Sequence, residues 1–315
     1  MKKKLSFALS LAGIGLIGVV ALTVACSSAV ASENTTQAET VLSKTSRKVT
    51  QKTKDYWYDK TAELSSYELS QARYGELHKG TAVLVYVTEP FSKSSNTKAD
   101  EHRKDNVQVL KLNRTKKWLT GIYPYSIMSS TFYPLEDGDA SLKVASSLQE
   151  WCGMTYLELR NKKKFEIDFN SYFEGFSFQN QQVEKELLED DLWTLIRLNP
   201  ELLPVGKVSL IPSMTFFRLR SMDIEVYTAD IQKVEEENGV IAYVVDYPLL
   251  DRTFTIRYAK EFPHIIQGWE DRHLSGYGED EKMLTSKAEL IKSVKTDYWN
   301  KNLNEHSEWR EKLGL

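Results

Sequence analysis

Residues 81–89, Thr-Ala-Val-Leu-Val-Tyr-Val-Thr-Glu, are the part of this chain that most clearly specifies its secondary structure. β-Branched and aromatic residues fill the run and Pro90 closes it, a composition typical of a β-strand. Similar runs follow, separated by turn residues roughly every ten positions, and this spacing predicts a largely β arrangement. We expect strands at 81–89, 107–112, 118–123, 126–133, 141–148, 154–160, 165–173, 208–211, 223–231, 240–247, 253–258 and 265–269.

One segment has the periodicity of a helix instead. Its apolar residues recur at three- and four-residue spacing, and the pattern stops at Asn199-Pro200. Acidic residues fill the opposite face, which we expect to be solvated. Segments 63–72 and 286–295 fit either a helix or a strand. The apolar positions are Val183, Leu187, Leu188, Leu192, Leu195 and Ile196, and the acidic ones are Glu184, Glu186, Glu189, Asp190 and Asp191.

These elements together predict the fold class. A long antiparallel meander must bury one face of its sheet, and an amphipathic helix is the available cover. We therefore predict a mainly β (α+β) fold, a curved antiparallel sheet or half-barrel that covers one or two helices. A sandwich of two β-sheets is the alternative. Asp-Tyr-Trp occurs at both Asp55 and Asp297, which suggests that the two ends of the domain lie together.

The N-terminus has the pattern of an export signal, with three lysines at positions 2–4 before an uncharged, apolar run at 5–25. Three outcomes fit this pattern. Lipoprotein processing would make Cys26 the lipid-bearing N-terminus, cleavage after Ala31 would release a soluble protein, and an uncleaved helix of about 20 residues would span a bilayer. All three place the remaining chain outside the cytoplasm, in the cell envelope.

The first residues after this signal are unlike the rest. Residues 27–51 contain no aromatic side chain and are rich in Ser, Thr, Ala, Glu, Gln and Lys, a composition that cannot bury enough apolar surface to offset ordering. As a coil the segment would hold the domain roughly 25 to 30 Å from its anchor. We therefore predict a lipoprotein signal at 1–25, a flexible tether at 26–52 and one β-rich domain at 53–315.

Composition and motifs limit the possible functions. A net charge of −3 does not favour nucleic-acid binding. No G-x-S-x-G motif for a serine hydrolase is present, and no two histidines stand at the H-E-x-x-H spacing of a metal site. We therefore expect no metal and no cofactor. If Cys26 carries lipid, Cys152 has no partner in the chain, and we expect it to be a small buried side chain.

A few residues stand out as candidates for ligand contact. The segment 120–125 could line the mouth of a concave sheet, where aromatic side chains with polar tips, such as Tyr123 and Tyr125, favour ligands. Glu150 and Trp151 lie in a region of small and apolar residues, where an ionised carboxylate is costly unless it is paired. We expect Glu150 to pair with an arginine such as Arg73, or otherwise to serve as one acid of a hydrolase.

Four blocks of the sequence carry a resemblance to a known family: 71–76 (QARYGE), 82–89 (AVLVYVTE), 121–128 (GIYPYSIM) and 149–153 (QEWCG). From Tyr56 onward the chain resembles an uncharacterised family of bacterial lipoproteins, some of whose members carry the label septum formation inhibitor Maf. Maf nucleotide pyrophosphatases are cytoplasmic and begin with S-x-S-P-R-R, which is absent here, so the resemblance does not imply that activity. It implies a lipoprotein processed at Cys26 and supplies no catalytic residues.

The expected function is therefore that of a binding or carrier domain, exported and held to the membrane through an N-terminal lipid. Its ligand would be a lipid, a glycan or a peptide. An envelope hydrolase whose carboxylates are not adjacent in sequence, and a structural partner of another envelope protein, are the alternatives. The sequence leaves catalytic activity undecided and favours a non-enzymatic role.

Overall fold

The strand expected at 81–89 lies within a 17-residue strand, Glu76–Ser92, at the centre of a large antiparallel sheet. The computed structural model describes residues 50–136 and 138–315, all within one compact unit, Ala38–Leu315. The strands are β1 (Ala62–Arg73), β2 (Glu76–Ser92), β3 (Thr97–Lys98), β4 (Asn106–Thr120), β5 (Tyr123–Pro134), β6 (Lys143–Glu150), β7 (Gly153–Asn161), β8 (Phe165–Ser171), β9 (Phe178–Val183), β10 (Leu187–Leu188), β11 (Gly206–Ile211), β12 (Tyr227–Glu236), β13 (Val240–Tyr247), β14 (Arg252–Ala259), β15 (Ile266–Ser275) and β16 (Lys282–Thr296). The helices are α1 (Gln51–Trp57), α2 (Glu189–Leu198), α3 (Met214–Arg220) and α4 (Glu308–Lys312).

All sixteen strands belong to one curved, open sheet, which confirms the predicted fold class, whereas the alternative of a two-sheet sandwich is wrong. The strands follow the order β10-β11-β12-β13-β14-β15-β16-β1-β2-β4-β5-β6-β7-β8-β9, and β3 pairs with β2 outside this path. The pairing of β10 with β11 is parallel, and the other pairs are antiparallel. Residues 184–186 join β9 and β10, the strands at the two edges of the sheet. Because this link spans four Cα–Cα steps, the end of β9 and the start of β10 lie within about 15 Å of each other.

The first and last long strands of the domain are neighbours. Ala62 of β1 pairs with Thr296 of β16, and Lys295 Nζ forms an ion pair with Asp59 at 2.7 Å. The segment after β16 then folds over the outer face, where Tyr298 and Leu313 pack against Ala62. The two ends of the domain therefore lie together, as the repeated Asp-Tyr-Trp suggested.

Helix α2 lies against the inner face of the sheet, and all ten of its residues are buried. Its contacts come from strands on several sides, because Tyr86 of β2 donates to the Trp193 carbonyl at 3.1 Å and Tyr247 of β13 donates to Glu189 at 2.7 Å. The apolar core of the sheet forms around Leu192 and Ile196, both 0% exposed. The predicted role of this helix as the cover of the sheet is consistent with this packing.

The predicted solvated face of the helix is wrong for three of its acids. Glu189, Asp190 and Asp191 are each at most 1% exposed, because β10 occupies Leu187–Leu188 and the helix begins only at Glu189. Each acid has a buried partner. Glu189 pairs with Arg252 and Asp190 with Arg114, and Asp191 accepts from the Ser141 backbone N–H at 2.9 Å. Acids in a first helical turn are also stabilised by the helix dipole.

Several element boundaries differ from prediction. The strands expected at 107–112 and 118–123 are one strand, β4, which ends in a turn at 121–122. The ambiguous segments 63–72 and 286–295 are strands, within β1 and β16. The strand expected at 141–148 does pair back on β5, as β6. Asp137, the signal and most of the tether lie outside the described residues, and α1 begins at Gln51, two residues before the predicted domain start.

Within the described part of the chain, no helix combines the length and apolarity needed to cross a bilayer.

Candidate functional site

Seven connections leave from one end of the sheet, because the strands that they join are antiparallel neighbours. They are β1–β2, β4–β5, β6–β7, β8–β9, β11–β12, β13–β14 and β15–β16. Contacts between them confirm this: the Gly75 N–H donates to Ser275 Oγ at 3.4 Å, and the Tyr123 and Trp151 ring centroids are 6.1 Å apart. We call the aromatic part of this end the rim, defined by residues 73–75, 119–125, 151–154, 172–177, 218 and 276–281.

The rim is unusually rich in exposed aromatic and aliphatic side chains. Lone exposed hydrophobics are normal on protein surfaces, but a contiguous group marks an interaction site. The exposed members, with their exposed fractions, are Ile122 (81%), Tyr172 (71%), Trp151 (68%), Leu119 (60%), Met154 (60%), Tyr277 (58%), Tyr74 (38%) and Phe173 (36%).

Four of the five residues predicted to contact a ligand form one connected group at the rim. Trp151 packs on Tyr123 with an interplanar angle of 29°, and the Tyr123 and Tyr125 centroids are 5.9 Å apart. The Arg73 guanidinium carbon lies 5.5 Å from the centroid of Tyr125. Below them, Trp118 stacks on Tyr125 at 4.8 Å and 7°, and both of these rings are buried.

The phenol groups of this cluster form a hydrogen-bond network centred on Tyr74. Tyr74 Oη lies 2.7 Å from Tyr125 Oη and accepts from Tyr123 Oη at 3.3 Å. Arg73 Nη2 is 3.4 Å from the hydroxyls of both Tyr74 and Tyr125. Burial would raise the pKa of Tyr74, but the hydrogen bonds from Tyr123 and Tyr125 and the nearby Arg73 charge together lower it. Positive potential is therefore concentrated at this hydroxyl.

Glu150, the fifth candidate, does not pair with Arg73, so that expectation is wrong. Its carboxylate accepts from the Cys152 backbone N–H at 2.7 Å and so caps the β6–β7 turn, a structural reason for an acid here. The Cys152 thiol is exposed rather than buried, which corrects the prediction. The hydrogen bond and the charge of Glu150 raise the pKa of this thiol.

Arg73 instead bonds to helix α3. Its Nη1 donates to the Leu219 carbonyl at 2.7 Å. Ser213 caps this helix by accepting from the Phe216 N–H at 3.2 Å, and Ser221 ends it in the left-handed conformation. The helix also carries Arg218, the residue before Leu219, and its guanidinium carbon lies 5.1 Å from the Phe173 ring centroid.

Sequence reasoning missed Arg218, Tyr74, Tyr172 and Tyr277. The run Phe216-Phe217-Arg218-Leu219-Arg220 is a signal that could have pointed to Arg218, since arginine beside aromatic residues is common at binding surfaces. The three tyrosines lie at turns between strands, a position that they share with Trp151 and that could have pointed to them.

No group of three or more His, Cys, Asp or Glu side chains among residues 50–136 and 138–315 is arranged to hold a metal ion. A cavity of about 10 Å³ lies behind the rim, between Leu148, Thr155 and Arg218, with room for about one water molecule.

Comparison with known proteins gives one distant likeness. No family model matches the chain, and no curated protein matches it. Among solved structures, the chain is similar to a β-barrel-like protein of the domain of unknown function DUF1849 from Brucella abortus. The two share 11% sequence identity with a TM-score of 0.41, over 75% of this chain and 98% of the other.

Proposed function

We propose that the protein is an exported, lipid-anchored envelope protein that binds a glycan at its rim and is not an enzyme. The observation that carries the proposal is the group of exposed aromatic rings at the rim, edged by the hydroxyls of Tyr74, Tyr123 and Tyr125. Sugar rings present C–H faces that stack on aromatic rings and hydroxyls that bond to polar tips, and Tyr and Trp supply both kinds of contact.

The interior of the sheet supports a glycan over a lipid as the ligand. Helix α2, buried along its whole length, occupies the inner face, and ion pairs of Arg114, Arg197 and Arg252 surround it. A lipid carrier needs an apolar chamber, because placing an ionised side chain against a lipid chain, away from water, has a high free-energy cost. The charged side chains around α2 therefore do not favour a lipid ligand. The rim instead offers an open surface.

The position of the tether supports the same ligand class. Helix α1, which follows the tether, lies at the end of the sheet opposite the rim, because Lys54 contacts Glu136 at 3.6 Å in the β5–β6 connection. Tyr56 likewise packs on Phe262 of the β14–β15 connection, at 5.4 Å. The twelve residues of β1 separate the two ends by about 36 Å. An anchor at Cys26 would therefore join the domain at the end opposite the rim and leave the rim free to contact envelope polymers.

A pull-down on purified peptidoglycan sacculi tests this function. The protein, purified from the envelope in mild detergent, should be retained by the sacculi. Trp151→Ala should lose roughly tenfold in affinity with an unchanged melting temperature, since Trp151 is 68% exposed. Trp299→Ala is the matched control, because Trp299 is exposed (43%) but follows β16 at the opposite end.

Two outcomes would overturn the proposal. One is a wild-type protein that sacculi do not retain. The other is a Trp151→Ala protein retained as well as wild type while Trp299→Ala is not, which would move the binding surface to the other end of the domain.

A further inference from the structure

Two arginines at the rim have no acidic partner. Among the described residues, no carboxylate lies within 4.0 Å of a guanidinium nitrogen of Arg73 or Arg218. Arg220, one position beyond Leu219 on the same helix, does have one, since its Nη2 is 3.1 Å from Glu281. The three large buried arginines around α2 are also each paired with an acid. Arg73 and Arg218 therefore differ from the buried arginines around α2, each of which forms an ion pair with an acid.

Arg218 is buried and Arg73 is half-buried. The one hydrogen bond of Arg218 to the described part of the chain runs from Nε to Thr155 Oγ1 at 3.3 Å. Arg73 Nε is buried and has no hydrogen-bond acceptor among residues 50–136 and 138–315. A buried charge normally has a partner, because desolvation without one is costly.

The two positive charges also act on each other. Burial and the Arg73 charge together lower the pKa of Arg218, and helix α3 holds the two groups together through the bond from Arg73 to the Leu219 carbonyl. Glu150, the acid that acts on Arg218 from nearby, is bonded to the Cys152 N–H. An anion between the two arginines would relieve their repulsion and satisfy donors that the protein leaves free.

We propose that Arg73 and Arg218 bind an acidic group, a carboxylate or a phosphate, carried by the glycan that the rim holds. The proposal rests on the function proposed above and narrows it to acidic glycans. The phenol of Tyr74 lies 3.4 Å from Arg73 Nη2. It accepts from Tyr123 and Tyr125, so its own O–H is left to donate to the same group. The aromatic rings then contact the sugar, and the two guanidinium groups select its charge.

Direct anion titration tests the site without any glycan. Inorganic phosphate and acetate are added to the detergent-purified protein, and the arginine Nε–H signals are followed by NMR. We expect saturable shifts, and a loss of affinity of at least about tenfold in Arg73→Gln and in Arg218→Gln. Arg220→Gln is the matched control and should bind as wild type does. Arg73→Lys and Arg218→Lys keep the charge and should retain part of the affinity. They replace the glutamine variants in this test if those variants do not fold.

Treated sacculi then identify the source of the charge. Hydrofluoric acid removes phosphodiester-linked polymers, and carbodiimide coupling to ethanolamine neutralises carboxylates. We expect one of these treatments to reduce retention of the wild type by at least about tenfold, and Arg73→Gln to be insensitive to that treatment.

The two proposals fail in different ways. Equal retention on untreated and on both kinds of treated sacculi overturns the acidic ligand while leaving glycan binding in place. No retention on any sacculi overturns glycan binding. The NMR titration then tests the anion site alone, and the absence of a saturable shift refutes that site.

Discussion

Arg197, in the last turn of α2, donates from Nη2 to Glu63 Oε2 of β1 at 2.7 Å, and its Nη1 bonds to the second oxygen of the same carboxylate. Both side chains are at most 1% exposed. Arg197 Nε also donates to the Pro263 carbonyl at 2.9 Å, and Tyr56 donates to Glu63. This pair therefore joins the central helix, the first strand and α1 at the end of the sheet opposite the rim.

Breaking this pair from one side should be strongly destabilising. Glu63→Gln leaves the Arg197 charge buried and unpaired, and we expect the free energy of unfolding to fall by about 3–5 kcal/mol. The double variant Glu63→Leu/Arg197→Met removes both charges and should be less destabilised than Glu63→Gln. Urea denaturation at pH 7 measures both. The single variants Glu63→Leu and Arg197→Met are measured as well. If the double variant loses as much free energy of unfolding as these two lose in total, this account is contradicted.

Two rim glycines should differ in their tolerance of a methyl group. Gly75 and Gly121 both have positive φ, +75° and +58°, so alanine at either costs about 1–2 kcal/mol of backbone strain. A Cβ at Gly75 would also lie 2.6 Å from the Asp280 carbonyl oxygen, whereas at Gly121 nothing lies within 4 Å. Gly75→Ala should therefore lose more stability, and more retention on sacculi, than Gly121→Ala. Equal urea midpoints for the two variants would be evidence against this packing of the rim.

Lys116 should make stability depend on pH in the alkaline range. It follows the buried Arg114 on the inner face of β4, and its Nζ lies 5.8 Å from the Trp269 ring centroid. Burial lowers the pKa of Lys116 to about 8, although Asp271 acts in the opposite direction. Since the unfolded chain holds this proton more tightly, the charge destabilises the folded state below pH 8, and that cost fades as pH rises towards 10.5.

The variant Lys116→Met isolates this effect. It should be more stable than wild type at pH 7, by about 1 kcal/mol after solvent screening, and the difference should shrink by pH 9.5. The charged groups that act on Lys116 are Asp271, Arg114, Arg252 and Glu189. Urea midpoints of both proteins at the two pH values give the comparison. A difference that does not change with pH would assign the effect to packing instead of charge.

Lipid attachment at Cys26 remains a prediction of the sequence. We expect radiolabelled palmitate to enter the wild-type protein in cells and Cys26→Ser to remove the label, because the cysteine thiol is the acylated group. Cys152→Ser, which keeps Cys26, is the control and should label normally. Mass spectrometry of an unlabelled wild type that begins at Ser32 would instead establish ordinary cleavage after Ala31.

Part of the rim could be predicted from sequence because its residues are close along the chain. Tyr123 and Tyr125 directly follow the β4–β5 turn, and Trp151 lies at the β6–β7 turn at the same end of the sheet. Aromatic residues at turns between strands have few places to pack, so they mark an end of the sheet. Arg218 could not be assigned to this group, since 145 residues separate it from Arg73 and helix α3 is not part of the meander.

By itself, the sequence determined the alternation of strands and turns and the central helix, and its lysine-led apolar segment predicts export. These are local properties, because strand and helix periodicities depend on residues within a few positions of each other. The tertiary structure decided the ionic partners and the site. Glu189 meets Arg252 across 63 positions, so its burial follows from how the sheet curves around α2. Arg73 and Arg218 are likewise brought to the same end of the sheet without a carboxylate of the described residues in contact with either guanidinium. No local pattern records which charges the folded chain brings together.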